Sequence, residues 1–285
     1  MDPWRTAIAT SDATHIWLRG HDITSLMTCA TFTDAIVLLH LGRLPTPGER
    51  RLLDAILIGV ADHGAGAPSC AAARLAASGN RQSISAAVAA GILTIGDEHG
   101  GAGSTCMQLI GDALLRADVD GLTPEAAARR AVDDAIRERR RLPGLGHRVH
   151  TIDPRVRALF DLARAERLAG RGIAFMEALE ADARARIKPL PMNIDGALAA
   201  VLHDLGFLPP AGRFIFIIGR VAGITAEVAE EYLRERPMRI SFEVEYDGVP
   251  PERMTEGSEP RERSGVGAPA SERAGGSGGA KPPGK

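Results

Sequence analysis

The chain has 285 residues and a formal net charge of −2, and 45% of its residues are hydrophobic while only 4% are aromatic. This length is enough for a large core without disulfide or metal cross-links. A charge near zero gives no basic surface for nucleic acid or an anionic membrane, so a small-molecule ligand is the default expectation. Abundant alanine with few aromatic residues favours packed helices over sheets, and we predict an all-α fold.

The three cysteines, Cys29, Cys70 and Cys106, are odd in number and widely spaced. They provide neither a disulfide framework nor a CxxC metal motif, which fits a reducing compartment. The N-terminal segment has no apolar signal core, and no stretch approaches the roughly 20 apolar residues of a membrane span. We therefore expect a cytoplasmic protein that has no membrane or nucleic-acid partner.

Helix starts are marked at three places by an N-cap residue followed by proline. The first of them also has glutamate at the third helical position, which completes a capping box. The pairs are Thr46-Pro47, Thr123-Pro124 and Asp153-Pro154.

Periodicity and composition predict the elements that follow. Apolar residues at helical spacing predict helices over 126–141, 194–205 and 214–233. Alternation over 240–246 predicts a short strand. The segment 250–285 is rich in Gly, Pro, Ser and charge, which predicts a disordered tail.

Three titratable residues lie at chain breaks. His99 precedes three glycines, His147 follows a proline and two glycines, and Asp195 lies between a proline-rich segment and a glycine. Loops held by a rigid scaffold are where catalytic groups concentrate. Each residue also has a structural interpretation, since a lone histidine is more often structural and Asp195 can serve as the N-cap of the next helix.

Several sequence blocks run in order from about Trp17 to Glu245. They are LRGHDITSLMTCATFTDAIVLLHLGRLPTPGE, ADHGAGAPSCAAAR, AAGILTIGDEHGGA, GLGHRVHTIDPR, NIDG, IIGR and ERP. In order and spacing they resemble the citrate synthase family. The resemblance implies an all-α fold in which a large helical domain carries a smaller inserted helical domain.

The resemblance also implies domain boundaries and an oligomeric state. The large domain would comprise 1–102 and 197–249, the small domain 103–196, and the tail 250–285. Two subunits would pair to complete shared sites, in a homodimer or a higher homo-oligomer.

The family's catalytic residues fall on His99, His147 and Asp195. Asp195 would be the base that takes a proton from the acyl-CoA, and His99 would donate to the developing enolate oxygen. His147 would polarise and protonate the ketone oxygen of the oxo acid. Run backwards, the same three residues cleave citryl-CoA.

The family's substrate-binding residues fall on His63, which would contact the oxo acid, and on Arg155 and Arg220, which would clamp its carboxylates. Planar guanidinium groups bind carboxylates in a bidentate manner that lysine does not match. A third arginine would reach in from the other subunit. The resemblance places it at Arg236, although Arg234 and Arg239 lie close by.

Two positions depart from the synthases of the family. Gly64 stands where an acidic residue is usual, and Gly196 stands where an aromatic residue usually follows the catalytic aspartate. These positions and the LTIGD block are more similar to the citryl-CoA lyase domain of ATP-citrate lyase. A citryl-CoA lyase is therefore favoured, with a citrate or 2-methylcitrate synthase as the alternative. Acyl-CoA, oxaloacetate and citryl-CoA are the expected substrates, with no permanently bound cofactor.

Two further alternatives remain open. A non-catalytic paralogue that binds CoA would explain the two glycine departures. A metal-dependent hydrolase would use histidine and carboxylate ligands, although no pair among them has the spacing of two ligands on one helical turn. Its ligands would come from Asp62, His63, His99, His147 and Asp195.

Overall fold

The computed structural model describes residues 3–146 and 152–248, which fall into two units, 3–241 and 242–248. All described helices and strands belong to the first unit, and its eleven helices confirm the all-α prediction. The helices are α1 (Ile23–Cys29), α2 (Phe32–Leu41), α3 (Pro47–Ala61), α4 (Pro68–Gly79), α5 (Ile84–Leu93), α6 (Ala102–Asp120), α7 (Pro124–Glu138), α8 (Pro154–Ala165), α9 (Arg171–Arg186), α10 (Ile194–Asp204) and α11 (Ala211–Arg234).

A small antiparallel sheet precedes the helices and was not predicted. Its strands are β1 (Ala9–Ser11), β2 (Ile16–Leu18) and β3 (His21–Asp22), in the order β1-β2-β3. Trp17 pairs with Thr10 on one side and with Asp22 on the other.

The three predicted helix starts are confirmed. Thr46 and Glu49 form the reciprocal capping box of α3, and the side chains of Thr123 and Asp153 cap α7 and α8. The predicted helix over 126–141 ends earlier, at Glu138, because Arg139 adopts a left-handed conformation with φ of 51°. The predictions over 194–205 and 214–233 correspond to α10 and α11.

The predicted strand over 240–246 is wrong for this structure. Those residues are assigned neither strand nor helix, and no described strand pairs with them. Phe242, Val244 and Tyr246 are each at least 70% exposed. Alternation is a local pattern, whereas a strand needs a hydrogen-bonded neighbour.

Helix α11 crosses the core and packs against α3, α4, α5, α6 and α10. Two of its glycines allow backbone contact with the end of α3. A Cβ atom at Gly219 would lie 2.5 Å from Val60 Cγ2, and one at Gly223 would lie 2.1 Å from the carbonyl oxygen of Ala61. Arg220 lies between these glycines and is therefore held close to the last turn of α3.

The predicted domain boundaries at 103 and 197 stay predictions, and the predicted tail lies almost wholly outside the described residues. Within the described ranges, no helix is both long and apolar enough to cross a membrane.

A carboxylate at the end of α10 caps α9. Helix α9 begins after Gly170, which offers no side-chain cap. The Asp204 side chain, 5% exposed, instead accepts hydrogen bonds from the backbone N–H groups of Gly170 (2.8 Å), Gly172 (2.7 Å) and Ile173 (3.2 Å). The first N–H groups of a helix have no intrahelical acceptor, and this buried carboxylate supplies one for three of them.

Replacing this cap should destabilise the fold. We expect Asp204→Ala to lower the free energy of unfolding by about 2 kcal/mol, because three buried donors lose a charged acceptor. Urea unfolding at one fixed protein concentration measures the change. Asp161→Ala is the control, since Asp161 is 59% exposed and forms only long surface ion pairs; its loss should stay within about 0.5 kcal/mol. Equal unfolding midpoints for the two variants would contradict the capping role.

Candidate active site

The last turn of α3 is the place where the predicted arginines meet. Arg155, from α8, donates through Nη1 to the carbonyl of Gly59 at 3.0 Å. Arg220, from α11, donates through Nε to the next carbonyl, that of Val60, at 2.8 Å. Carbonyls in the last turn of a helix lack intrahelical partners, so they are available to such donors. Two guanidinium groups from distant parts of the chain are thereby held side by side.

Arg220 is the more deeply placed of the two. It is 2% exposed, and its guanidinium carbon lies 4.9 Å from the centroid of the Phe216 ring. Burial lowers the pKa of its guanidinium group, opposed by the nearby Cys70 and Asp62. Arginine still stays charged at neutral pH, so Arg220 brings a buried positive charge to the site.

Ser69 connects Arg220 to His99, and sequence reasoning missed it. The fully buried Ser69 hydroxyl accepts from Arg220 Nη1 at 3.1 Å and lies 3.0 Å from His99 Nε2. The backbone N–H of Ser69 also donates to His99 Nε2, at 3.3 Å. Because Nε2 accepts this bond, the proton of a neutral His99 ring is on Nδ1. The sequence carried no clear signal for it, because Ser69 follows the proline at the start of α4 and does not cap this helix.

The loop that carries His99 is folded back on itself. The backbones of Gly96 and His99 exchange two hydrogen bonds, at 2.9 and 3.0 Å. Gly100 has φ of 76°, and a Cβ atom there would lie 2.3 Å from the Phe216 ring. A Cβ atom at Gly101 would lie 2.5 Å from the Gly96 carbonyl oxygen. The glycines after His99 are therefore required by close contacts of the backbone.

Asp195 lies in the first turn of α10. It is not the N-cap, which is Asn193, whose side chain accepts from the N–H of Gly196 at 3.1 Å. The Asp195 Oδ1 atom is buried and has no hydrogen-bond partner among the described residues. Burial raises the pKa of this carboxyl to about 6, against the lowering influence of Arg155 and Arg220.

His147 lies outside the described residues, but hydrogen bonds hold the residue just before it, Gly146, against the start of α10. Gly146 donates from its N–H to the Pro191 carbonyl at 2.7 Å and accepts from Asn193 Nδ2 at 2.7 Å. A Cβ atom at Gly196 would lie 2.5 Å from the Gly144 carbonyl oxygen. The loop before His147 is thus attached to the start of the helix that carries Asp195.

The other two predicted residues lie at the surface. His63 is exposed, two residues beyond the end of α3. Arg236 is exposed beyond the end of α11, and no ion pair to it is found within the described residues. The adjacent Arg234 and Arg239 are paired with Glu230 and with Glu231 and Glu235, respectively. Their guanidinium groups are therefore engaged within the chain.

The potential metal ligands in the described ranges that lie close together are Asp62, Cys70 and Glu227, within 4.8 Å of one another. Of the predicted metal set, Asp62 alone belongs to this group. Its members are already engaged: the Cys70 thiol donates to Asp62 at 3.2 Å, and Glu227 pairs with Arg74. Burial, with a contribution from Asp62, raises the pKa of the Cys70 thiol to about 11. Among the predicted metal ligands in the described ranges, therefore, only Asp62 lies in a close group of potential ligands.

A cavity of about 350 Å³ lies between α6 and α7, and Pro143 is among its lining residues. Its walls include apolar side chains of both helices. The arginines that line it are Arg116, Arg130, Arg140 and Arg141.

The family model of the C-terminal domain of citrate synthase matches residues 45–241. The citryl-CoA lyase of Hydrogenobacter thermophilus is 35% identical with a TM-score of 0.80, over 89% of this chain and 98% of that chain. The citrate synthase of Deinococcus radiodurans is 29% identical over 239 residues, which are 81% of this chain and 59% of that protein.

An ATP citrate lyase of Methanosaeta concilii, in complex with (3S)-citryl-CoA, has the same fold, with a TM-score of 0.68 and 21% identity over 87% of this chain and 42% of that chain. The chain spans less than two thirds of the length of the curated citrate synthase that it matches. The family match nevertheless covers more than half of the present chain. By this match and by its helical fold, the chain belongs to the citrate synthase family.

Proposed function

We propose that the chain is a citryl-CoA lyase, which splits citryl-CoA into acetyl-CoA and oxaloacetate. The observation that carries the proposal is Asp195, a largely buried carboxyl with a pKa of about 6 within electrostatic reach of two arginines. Such a group exchanges a proton readily near neutral pH. The similarity to a citryl-CoA lyase over nearly the full length of both chains supports this reaction.

The two guanidinium groups are proposed to hold the carboxylates of the oxaloacetate part. Arg155 and Arg220 lie side by side because they donate to consecutive carbonyls of α3. Two adjacent positive charges favour an anionic ligand with more than one carboxylate. His63 is assigned a further contact to the oxo acid.

Cleavage then needs two proton transfers and one broken carbon-carbon bond. His147 takes the hydroxyl proton of citryl-CoA, and the oxygen electrons form the ketone of oxaloacetate. The electrons of the broken bond pass to the thioester enolate, whose oxygen accepts a hydrogen bond from His99. Protonated Asp195 gives its proton to the enolate carbon, which becomes the methyl group of acetyl-CoA. His147 ends protonated and Asp195 ionised, and exchange with solvent restores both.

The second candidate is a citrate or 2-methylcitrate synthase. It would run the same steps in reverse from acetyl-CoA or propionyl-CoA and would then hydrolyse the thioester. The 29% identity to a citrate synthase favours this candidate. A non-catalytic CoA-binding paralogue is the remaining possibility, and it would need none of the proton transfers.

A CoA thioester is assigned as substrate, not as a permanent cofactor. The cavity between α6 and α7 supports this assignment, because guanidinium groups bind phosphate well and four arginines line it, beside Asp112 and Asp134.

A homodimer with shared sites is part of the proposal. Helix α5 has no charged residue, yet only Ala87 and Gly91 in it are buried, while Ile84 and Leu93 are 62% and 84% exposed. Such an apolar surface suits contact with a second copy. Arg236 lies two residues beyond the end of α11, and that end is about 20 Å along the helix axis from Arg220. We therefore assign Arg236 to the site of the other subunit.

The reaction itself is the first prediction of this proposal. Purified protein mixed with citryl-CoA should release acetyl-CoA and oxaloacetate, identified by mass spectrometry of quenched samples. Asp195→Asn should lower turnover by about 10²- to 10⁴-fold, because the amide neither gives nor takes the proton.

The products discriminate between the candidates. Free CoA and citrate, together with condensation of acetyl-CoA and oxaloacetate, would identify a synthase instead. Citryl-CoA that stays intact, with binding unaffected in Asp195→Asn, would identify the non-catalytic paralogue.

The pH dependence follows from the pKa of Asp195. In the proposed cleavage Asp195 is protonated and gives up its proton, so ionisation of the carboxyl removes the competent form. With a carboxyl pKa of about 6, kcat/KM for citryl-CoA should fall about tenfold per pH unit above about pH 6 wherever His147 is already neutral. Steady-state rates from pH 6 to 9 measure this limb, and a return to neutral pH checks that the protein stays folded. A profile that does not fall anywhere between pH 6 and 9 would exclude Asp195 as the proton donor.

Shared sites predict complementation between two inactive variants. Asp195→Asn and Arg236→Gln should each be inactive alone, but their mixed dimer contains one site with both residues intact. Co-expression in equal amounts should restore about one quarter of the wild-type activity, since half of the dimers are mixed and each has one intact site. Co-expression of Asp195→Asn with Arg155→Gln is the control. It should show the same recovery only if Arg155 and Asp195 came from different subunits. Absence of recovery with Arg236→Gln would rule out a shared site.

A further inference from the structure

The Asp195 carboxyl is not paired with the arginines beside it. Its Oδ1 atom is buried without a hydrogen-bond partner in the described part of the chain, although Arg155 and Arg220 both act on it electrostatically. A carboxylate in a buried site ordinarily forms an ion pair with a neighbouring guanidinium group. Other contacts must therefore hold the two arginines in place.

Arg155 is held mainly by Asp153. Its Nε and Nη2 atoms donate to the two Asp153 carboxylate oxygens at 2.9 and 2.7 Å, and its Nη1 donates to the Gly59 carbonyl at 3.0 Å. A guanidinium group has five N–H donors. Three are used in these bonds, and the two that remain, one on each Nη atom, are available to a ligand carboxylate.

Asp153 is itself fixed at the contact between two helix starts. Its side chain has no exposed surface, caps α8 through the N–H of Arg155 at 3.1 Å, and accepts from the N–H of Ile194, at the start of α10, at 3.2 Å. We propose that Asp153 is a positioning residue that keeps Arg155 from forming an ion pair with Asp195. The base then stays reactive, and Arg155 keeps one edge for substrate.

The charges around Asp195 agree with this role. The ionisable groups of the described residues that interact with it are Arg155 and Asp153 at α8, Arg220 on α11 and Cys106 on α6. Burial is the largest cause of the raised pKa of Asp195, Asp153 raises it further, and the two arginines lower it. Arg220 is held separately, by Val60 and Ser69.

The test is Asp153→Asn, which keeps the size and a capping oxygen but removes the charge and one acceptor. This proposal rests on the proposed role of Asp195, so its titration is followed without turnover, by the infrared carbonyl band of its protonated form, assigned from the band that Asp195→Asn lacks. In Asp153→Asn the midpoint should move down by about one pH unit or more, because Arg155 is released towards the carboxylate. The pH above which kcat/KM falls should move in the same direction, and the KM for citryl-CoA should rise.

Two further variants separate positioning from a structural effect. Asp204→Asn, at a buried carboxylate that caps α9, should lower stability and leave the Asp195 midpoint unchanged. With Arg155→Met already present, adding Asp153→Asn should shift the midpoint by much less than it does in the wild type. Asp153→Ser, which retains a good N-cap, replaces Asp153→Asn if the latter does not fold.

The outcomes are distinct. An unchanged Asp195 midpoint in folded Asp153→Asn or Asp153→Ser, or the same shift with Arg155 absent, would overturn the positioning role. If the wild type turns over neither citryl-CoA nor acetyl-CoA with oxaloacetate, the proposed function fails, whereas the infrared titration still decides whether Asp153 holds Arg155 away.

Discussion

The candidate site depends on one constraint, the open carbonyls in the last turn of α3. Gly59 and Val60 receive Arg155 and Arg220, which come from helices more than 60 residues apart in the chain. Glycines on both sides of Arg220 bring α11 into backbone contact with this turn. Two positive charges held close together repel each other unless an anion is near, so the arrangement favours binding of a dicarboxylate.

The protein itself neutralises the positive charge of these two arginines only in part. Asp153 neutralises Arg155 from one side, while Asp195 forms no ion pair with either arginine, and its Oδ1 has no hydrogen-bond partner in the described ranges. Asp195, the proposed catalytic carboxyl, and Asp153, the proposed positioning carboxyl, both lie at helix starts. They differ in their contacts. A pKa of about 6 gives Asp195 access to both protonation states near neutral pH, which suits either direction of the reaction.

Local sequence signals predicted much of this. N-cap and proline pairs gave three helix starts, and glycine-rich breaks drew attention to His99 and Asp195. Ser69 was not recognised as a site residue, because its defining partner, His99, is 30 residues away in sequence. Asp153 was predicted only as an N-cap, because its contact with Ile194, 41 residues away, is not visible in the local pattern. The strand over 240–246 failed for the related reason that a strand is defined by a neighbour. Local pattern identifies an element, but long-range contacts decide what its side chains do.

The contact between Gly144 and Gly196 has an evolutionary consequence. A side chain at position 196 would collide with the Gly144 carbonyl oxygen at 2.5 Å, and one at position 144 would collide with the backbone of Gly196 at 2.7 Å. An aromatic residue at 196, as in the synthases of the family, therefore requires the loop before His147 to follow another path. The residue type at 196 and the path of the loop that contains Gly144 are therefore expected to be coupled. A lineage that passes between the two sequence types must change the loop and the helix start together, so single-step intermediates would be disfavoured.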